Sequence, residues 1–160
     1  MPTNLYGPGD NYHPENSHVL PALIRRFHVA KERNDASVTC WGSGSPLREF
    51  LHVDDLGEAS VFALEKWDPS ADGYPKDQQG EPLSFLNVGT AVDLSIRQLA
   101  DTVGAAAGFS GRINWYTSKP DGTPKKQLDL SRLKELGWQA KISLQDGLND
   151  TIQAFVNSNK

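Results

Sequence analysis

Trp41-Gly42-Ser43-Gly44-Ser45-Pro46-Leu47-Arg48-Glu49-Phe50-Leu51-His52-Val53-Asp54-Asp55 is the stretch that decides the fold. Just before it, Val38-Thr39-Cys40-Trp41 reads as a short strand, and Gly42-Ser43-Gly44 closes it. Glu49 to Val53 reads as another strand. Asp54 or Asp55 then supplies a helix cap, and Leu56, Ala59, Ser60, Ala63, Leu64 and Trp67 recur as the buried stripe of the helix that follows.

Toward the amino end, Pro2 to Asp10 reads as a short strand running into a turn. Asn16 or Ser17 caps a helix in which Val19, Leu20, Leu23, Ile24 and Phe27 keep helical spacing to about Ala30. Toward the carboxyl end, the Pro-, Gly-, Asp- and Gln-rich residues 68–82 form a surface loop. Phe85 to Val88 reads as a strand. Ser95 caps a helix with Ile96, Leu99, Ala100 and Val103 inward, stopping near Gly108. Ile113 to Tyr116 is a strand, Ser118 to Thr123 a polar loop, and Ser131 to Gly137 a short helix. Ser143 and Asp146 resemble a capping box with Asp in place of Glu, opening a helix lined by Leu144, Leu148, Ile152 and Phe155. This alternation predicts an α/β fold with some parallel pairing.

A chain of 160 residues fits one domain. Its net charge of −4 argues against a general nucleic-acid binder. The local basic groups, Arg25 with Arg26 and Lys119 with Lys125 and Lys126, suit a small anionic ligand. No apolar run approaches the ~20 residues of a membrane helix, and no secretory leader is evident. The single cysteine, Cys40, excludes an internal disulfide and suits the reducing cytosol. Because the chain opens directly on an active-looking loop, Met1 is read as an interior methionine or an artificial start, with sequence expected upstream.

Several catalytic signatures are missing from the sequence. Gly42-Ser43-Gly44 lies between two strands and opens no helix, so it is not a dinucleotide phosphate loop. Tyr116 and Lys119 are one residue too close for a Tyr-x-x-x-Lys pair. No grouping has zinc spacing, and no Gly-x-Ser-x-Gly elbow occurs. The chain alone therefore carries no complete catalytic set.

Three segments together resemble one family. They are Pro2 to Pro8 continued by Asp10-Asn11-Tyr12, Asn16-Ser17-His18-Val19 and Pro21 to Phe27; Trp41 to Asp55; and Ser118-Lys119-Pro120-Asp121-Gly122-Thr123-Pro124-Lys125-Lys126. The middle segment resembles extended short-chain dehydrogenase/reductases acting on nucleotide sugars, whichever the base. The Asn-Ser-His-Val helix start and the Lys-Pro-Asp-Gly loop narrow the resemblance to the GDP-L-fucose synthase family, over residues 1 to about 157.

The resemblance implies a carboxyl-terminal part of a Rossmann-like NADP enzyme with a small mixed α/β substrate-binding domain. Residues of about 1–15 and 48–67 would be the last pieces of the Rossmann domain, and the amino-terminal nucleotide-binding part would be absent. The implied reaction converts GDP-4-keto-6-deoxy-D-mannose to GDP-L-fucose by 3,5-epimerisation and NADPH-dependent 4-reduction, in a cytoplasmic homodimer. It further implies that His18 is the proton donor near the nicotinamide, an imidazole being able to titrate near neutral pH. Spacing alone favours a first-turn histidine satisfying backbone groups. Pro2, Thr3, Asn4 and Leu5 would line the cofactor. Arg26, ahead of Arg25, would bind substrate, although helix geometry sets Arg25 nearer the face of His18. Trp41 would pack on guanine or ribose, Arg48 and Lys126 would neutralise the diphosphate, and Asp121 would accept hydrogen bonds from the nucleoside. Cys40 is not the family's cysteine base, and no metal is implied.

Overall fold

The fold is organised on β3 (Leu47–His52), whose neighbours in space come from distant parts of the chain. Its first half pairs with antiparallel β4 (Asp93–Ser95) and with parallel β6 (Lys125–Lys126). Its second half pairs in parallel with β1 (Asn4–Tyr6). A separate sheet joins β2 (Ser37–Trp41) to β5 (Arg112–Tyr116) in parallel, with Trp41 opposite Tyr116. The computed structural model describes residues 1–71, 74 and 76–158. Its three parallel pairings bear out the α/β expectation.

Among the described residues, α1 (Val19–Glu32), α2 (Val53–Lys66) and α3 (Ile96–Ala106) lie between strands, and α4 (Ser131–Glu135) and α5 (Leu144–Ser158) follow β6. Leu20, Leu23, Ile24 and Phe27 of α1 meet Leu99, Ala100 and Val103 of α3, with Leu148 and Phe155 of α5 closing the same core. Each such side chain, fully buried, contributes roughly 1.5–3 kcal/mol of transfer free energy. Gly104 of α3 faces the Phe27 ring, where an added Cβ would make an ordinary contact at 3.5 Å. A second core gathers Leu51, Ala59, Leu86, Leu133 and Trp138 beneath α2 and α4. None of the helices among the described residues is long and apolar enough to cross a membrane.

Ser95 makes the full capping box with Gln98, and Ser143 caps α5 by accepting from the Asp146 amide at 3.1 Å. Four local expectations are corrected. Neither Asn16 nor Ser17 caps α1; the N-cap position is His18, and its side chain makes no cap bond. Neither Asp54 nor Asp55 caps α2; the His52 Nδ1 does, accepting from the Asp54 amide. Asp55 is instead buried, receiving the amides of Lys141 and Ile142. The α2 stripe is displaced: Leu64 is 87% exposed and Ser60 exposed, while Phe62 packs inward. Phe85 to Val88 contributes only a bridge, Val88 to Pro2, because pairing there is limited to the short run before β1. The extended segment that does pair is β4, which periodicity over three residues could not reveal. Residues 72, 73 and 75 of the expected 68–82 loop lie outside the described residues.

Candidate functional site

The turn Gly42-Ser43-Gly44 leaves β2 with both glycines at positive φ, 80° and 75°. A side chain at either position would be strained by that backbone conformation. It would also find no room, since Gly42 lies against Asp121 and an added Cβ on Gly44 would stand 2.7 Å from the Trp115 ring. Ser43 is held from two directions. Its amide and hydroxyl both donate to the Asp121 carboxylate, at 2.9 and 2.6 Å. Its carbonyl accepts from Arg97 at 2.6 Å, whose guanidinium lies 4.5 Å from the Trp115 ring centre. The two Ser43 hydrogen bonds hold the Asp121 carboxyl below the usual carboxylate range.

Asp121 thereby ties the 117–124 loop to the turn, and the same loop meets β3. Arg48 donates through Nη1 to the carbonyls of Leu47 and Thr123, both at 2.7 Å. Lys126 stands in register with Arg48 across the β3–β6 pairing. Lys125, by contrast, is ion-paired with Asp93 at 3.0 Å. At the end of β2, Trp41 is 61% exposed rather than part of the core. The Arg26 guanidinium lies 4.9 Å from the centre of its ring and the Lys119 ammonium 5.5 Å. Arg26 also donates to the Thr39 carbonyl at 3.3 Å. Of the two arginines on α1, it is therefore Arg26 that reaches the indole.

A cavity of about 430 Å³ lies at the other end of the expected site. Thr3, Asn4 and Leu5 line it together with His18, the Gly7-Pro8-Gly9 turn and Val53. Gly7 forms its wall with backbone alone, since a Cβ there would stand 2.5 Å from Val53. Glu49, the residue after Arg48, joins the two ends. Its carbonyl accepts from Thr3 Oγ1 at 3.1 Å and from Asn4 Nδ2 at 2.8 Å. The Asn4 amide group is thus committed to β3 through its nitrogen.

The structure therefore places His18 with Thr3, Asn4 and Leu5 but not with Pro2, which bridges to Val88; it places Arg26 with Trp41, while one segment links Arg48, Asp121 and Lys126. Sequence reasoning missed Ser43, Arg97 and Glu49, whose roles depend on partners 41 to 78 residues away. Lys119 was visible in a basic cluster and as the lysine of the Lys-Pro-Asp-Gly loop, with no role of its own. His13, His28 and His52 have structural contacts: amides of Glu15 and Asn16, the Phe155 ring, and the α2 cap. Burial pushes the Cys40 thiol up, which leaves it protonated in the core.

Residues 1–74 match the model of the NAD dependent epimerase/dehydratase family. Over 158 residues, 99% of the chain, it is 52% identical to a putative GDP-L-fucose synthase 2 of Arabidopsis thaliana, covering 44% of that protein. It is likewise 52% identical to the GDP-L-fucose synthase of Escherichia coli (strain K12), covering 48% of it. The chain thus spans somewhat under half the length of these curated relatives. The crystal structure of a GDP-L-fucose synthetase from Naegleria fowleri bound to NADP superposes with a TM-score of 0.81 at 29% identity, over 99% of this chain and 46% of that one.

Proposed function

We propose that this chain, a member of the extended short-chain dehydrogenase/reductase family by sequence and fold, supplies the GDP-sugar grip and one proton donor of a GDP-L-fucose synthase. The observation that carries the reading is the 117–126 segment, which meets Trp41, Ser43 and Arg48 at once. An exposed indole beside two cations suits a nucleotide base next to a phosphate. Arg48 and Lys126 serve the diphosphate, Asp121 the nucleoside, and Arg26 the sugar side of Trp41. Residues of about 1–15 and 48–67 serve as the closing pieces of a Rossmann domain, through the parallel β1–β3 pairing.

The cavity beside Thr3, Asn4 and Leu5 has room for one nucleotide-sized end of a dinucleotide. With no glycine-rich phosphate loop in the sequence, the residues present fit the nicotinamide end of NADP and no more. NADPH, when bound, supplies the hydride for reduction at C4. The contribution of this chain is to orient that end against Pro2–Leu5 and to hold a proton at His18. That imidazole, at the exposed start of α1, hands its proton to one face of the keto-sugar during 3,5-epimerisation while a base elsewhere works on the other face. The parent enzyme would be a cytosolic homodimer taking GDP-4-keto-6-deoxy-D-mannose to GDP-L-fucose, and this chain alone would lack reductase activity.

Calorimetry with GDP-mannose tests the grip. Heat that disappears in Arg48→Ala supports it, whereas no heat with the parent chain would overturn it. NADPH consumption by the chain alone with the GDP-keto-sugar would overturn the claim of inactivity. Because the Trp41 to Asp55 segment suits other nucleotide sugars equally, UDP- and dTDP-sugars belong in the same titration. Equal binding of all three would favour a different nucleotide-sugar enzyme of this family.

A further inference from the structure

Lys119 is the residue of this site that no motif role explains. It lies on the loop that Asp121 pins to Ser43, and its own amide returns to the Tyr116 carbonyl at 3.4 Å, one strand across from Trp41. Its ammonium reaches the Trp41 ring, which already carries the Arg26 guanidinium. Neither cation has a carboxylate partner among the described residues, whereas neighbouring Lys125 does. Two like charges brought to one indole repel each other, by an amount comparable with the attraction an exposed ring returns to each cation. Side-chain entropy would favour a lysine on an exposed loop swinging clear. An anion between or beside the two cations would supply the charge partner that both lack.

We propose that Lys119 is a further ligand-binding residue, supplying a cation to the diphosphate of a nucleoside diphosphate whose base or ribose lies on Trp41. The inference rests on the GDP-sugar reading of the site and adds Lys119 to it. Lys119 and Arg48 then approach the phosphates from opposite ends of the 117–124 loop, Arg48 being fixed by the Thr123 carbonyl and Lys119 by the Asp121 anchor. Binding would hold the loop at both ends. Loop ordering and phosphate neutralisation would therefore be a single event.

The test is calorimetric titration of GDP into the 160-residue chain at low and at high salt, for the parent, Lys119→Gln, Lys119→Arg and Arg48→Ala. Lys119→Gln is expected to weaken GDP binding about tenfold at low salt and to flatten its salt dependence, since one charge contact is removed. Lys119→Arg is expected to stay within about threefold of the parent. A Lys119→Gln chain that binds GDP like the parent, with the same salt dependence, while Arg48→Ala loses binding, would overturn the role of Lys119 and leave the site reading intact. Absence of GDP binding by the parent would overturn both. Thermal melting of each variant guards against misfolding, and a Lys119→Gln chain that melts like the parent but binds weakly supports the proposal.

Discussion

Asp121 receives both the amide and the hydroxyl of Ser43, at 2.9 and 2.6 Å, across 78 residues of sequence. A glycine at 42 permits this, because a side chain there would occupy the space of the carboxylate. Asp121→Ala is expected to release the loop, leaving the fold intact but weakening GDP roughly tenfold. Asp121→Asn keeps one acceptor and is expected to weaken it less. The pH dependence follows from the lowered carboxyl. Its contribution is complete above the ordinary carboxylate pKa of about 3.9 and fades as pH falls through the lower folded value. The advantage of the parent over Asp121→Ala is therefore expected to be flat from pH 5 to 8 and to shrink only in strong acid. Calorimetry across that range checks it.

Glu49 is fully buried and Oε1 accepts from the amides of Thr90 and Ala91, at 2.5 and 2.7 Å. Ala91 is held at φ 63°, a conformation that only such anchoring makes tolerable. Glu49→Ala takes the acceptor from two part-buried amides and is expected to cost about 1–3 kcal/mol of stability by urea unfolding. Gly89→Ala is expected to be damaging too, because its methyl would run into the Glu49 carboxylate. Since Thr3 and Asn4 hang on the Glu49 carbonyl, loosening of β3 should reach the His18 cavity as well.

These two carboxylates mark the boundary of what was legible in the sequence. Helical stripes such as Leu20, Leu23, Ile24 and Phe27 were readable because burial repeats with the turn of the helix. The strand at Trp41 was readable from local composition, whereas the role expected of Arg48 came only from the family resemblance. Glu49 sits beside Arg48 in a strand whose last four residues are all buried, and it looks like any exposed acid until Thr90 and Ala91 are brought to it. Leu64 failed for the opposite reason: it keeps helical spacing with Ser60 and Trp67, but α2 turns the edge carrying Ser60 and Leu64 away from the second core. His52 was passed over as a cap because histidine seldom serves as one, whereas the aspartates beside it commonly do.

Alkaline pH offers a check on the α5 packing. Burial, reinforced by the nearby charges of Asp55 and Asp146, pushes the Tyr6 phenol far above its ordinary value. Burial likewise pushes Tyr12 up to about 12, against the Phe155 ring 4.4 Å away. A raised folded value means that the stability is fully present below about pH 10 and is lost as pH climbs through the folded values. Unfolding free energy is thus expected to hold to pH 10 and then fall. Tyr12→Phe, which removes a buried hydroxyl without a partner, is expected to be neutral or stabilising at pH 8 and to shift the loss to higher pH.

Trp41 separates binding from folding most cleanly. Its ring is largely exposed, so Trp41→Ala removes little buried area and is expected to cost no more than about 0.5 kcal/mol of stability. The same change deletes the surface over which Arg26 and Lys119 converge. Stacking of a base on an aromatic ring contributes roughly 1–3 kcal/mol, so GDP affinity is expected to fall about 5- to 150-fold. Trp41→Phe keeps a smaller platform and is expected to fall between the two. Cys40, next in sequence, is buried, and Cys40→Ala should show the reverse pattern, with stability lost and GDP binding nearly unchanged. Melting and calorimetry on these three variants would show whether the exposed indole serves the ligand; equal GDP affinity in the parent and Trp41→Ala would mean that it does not.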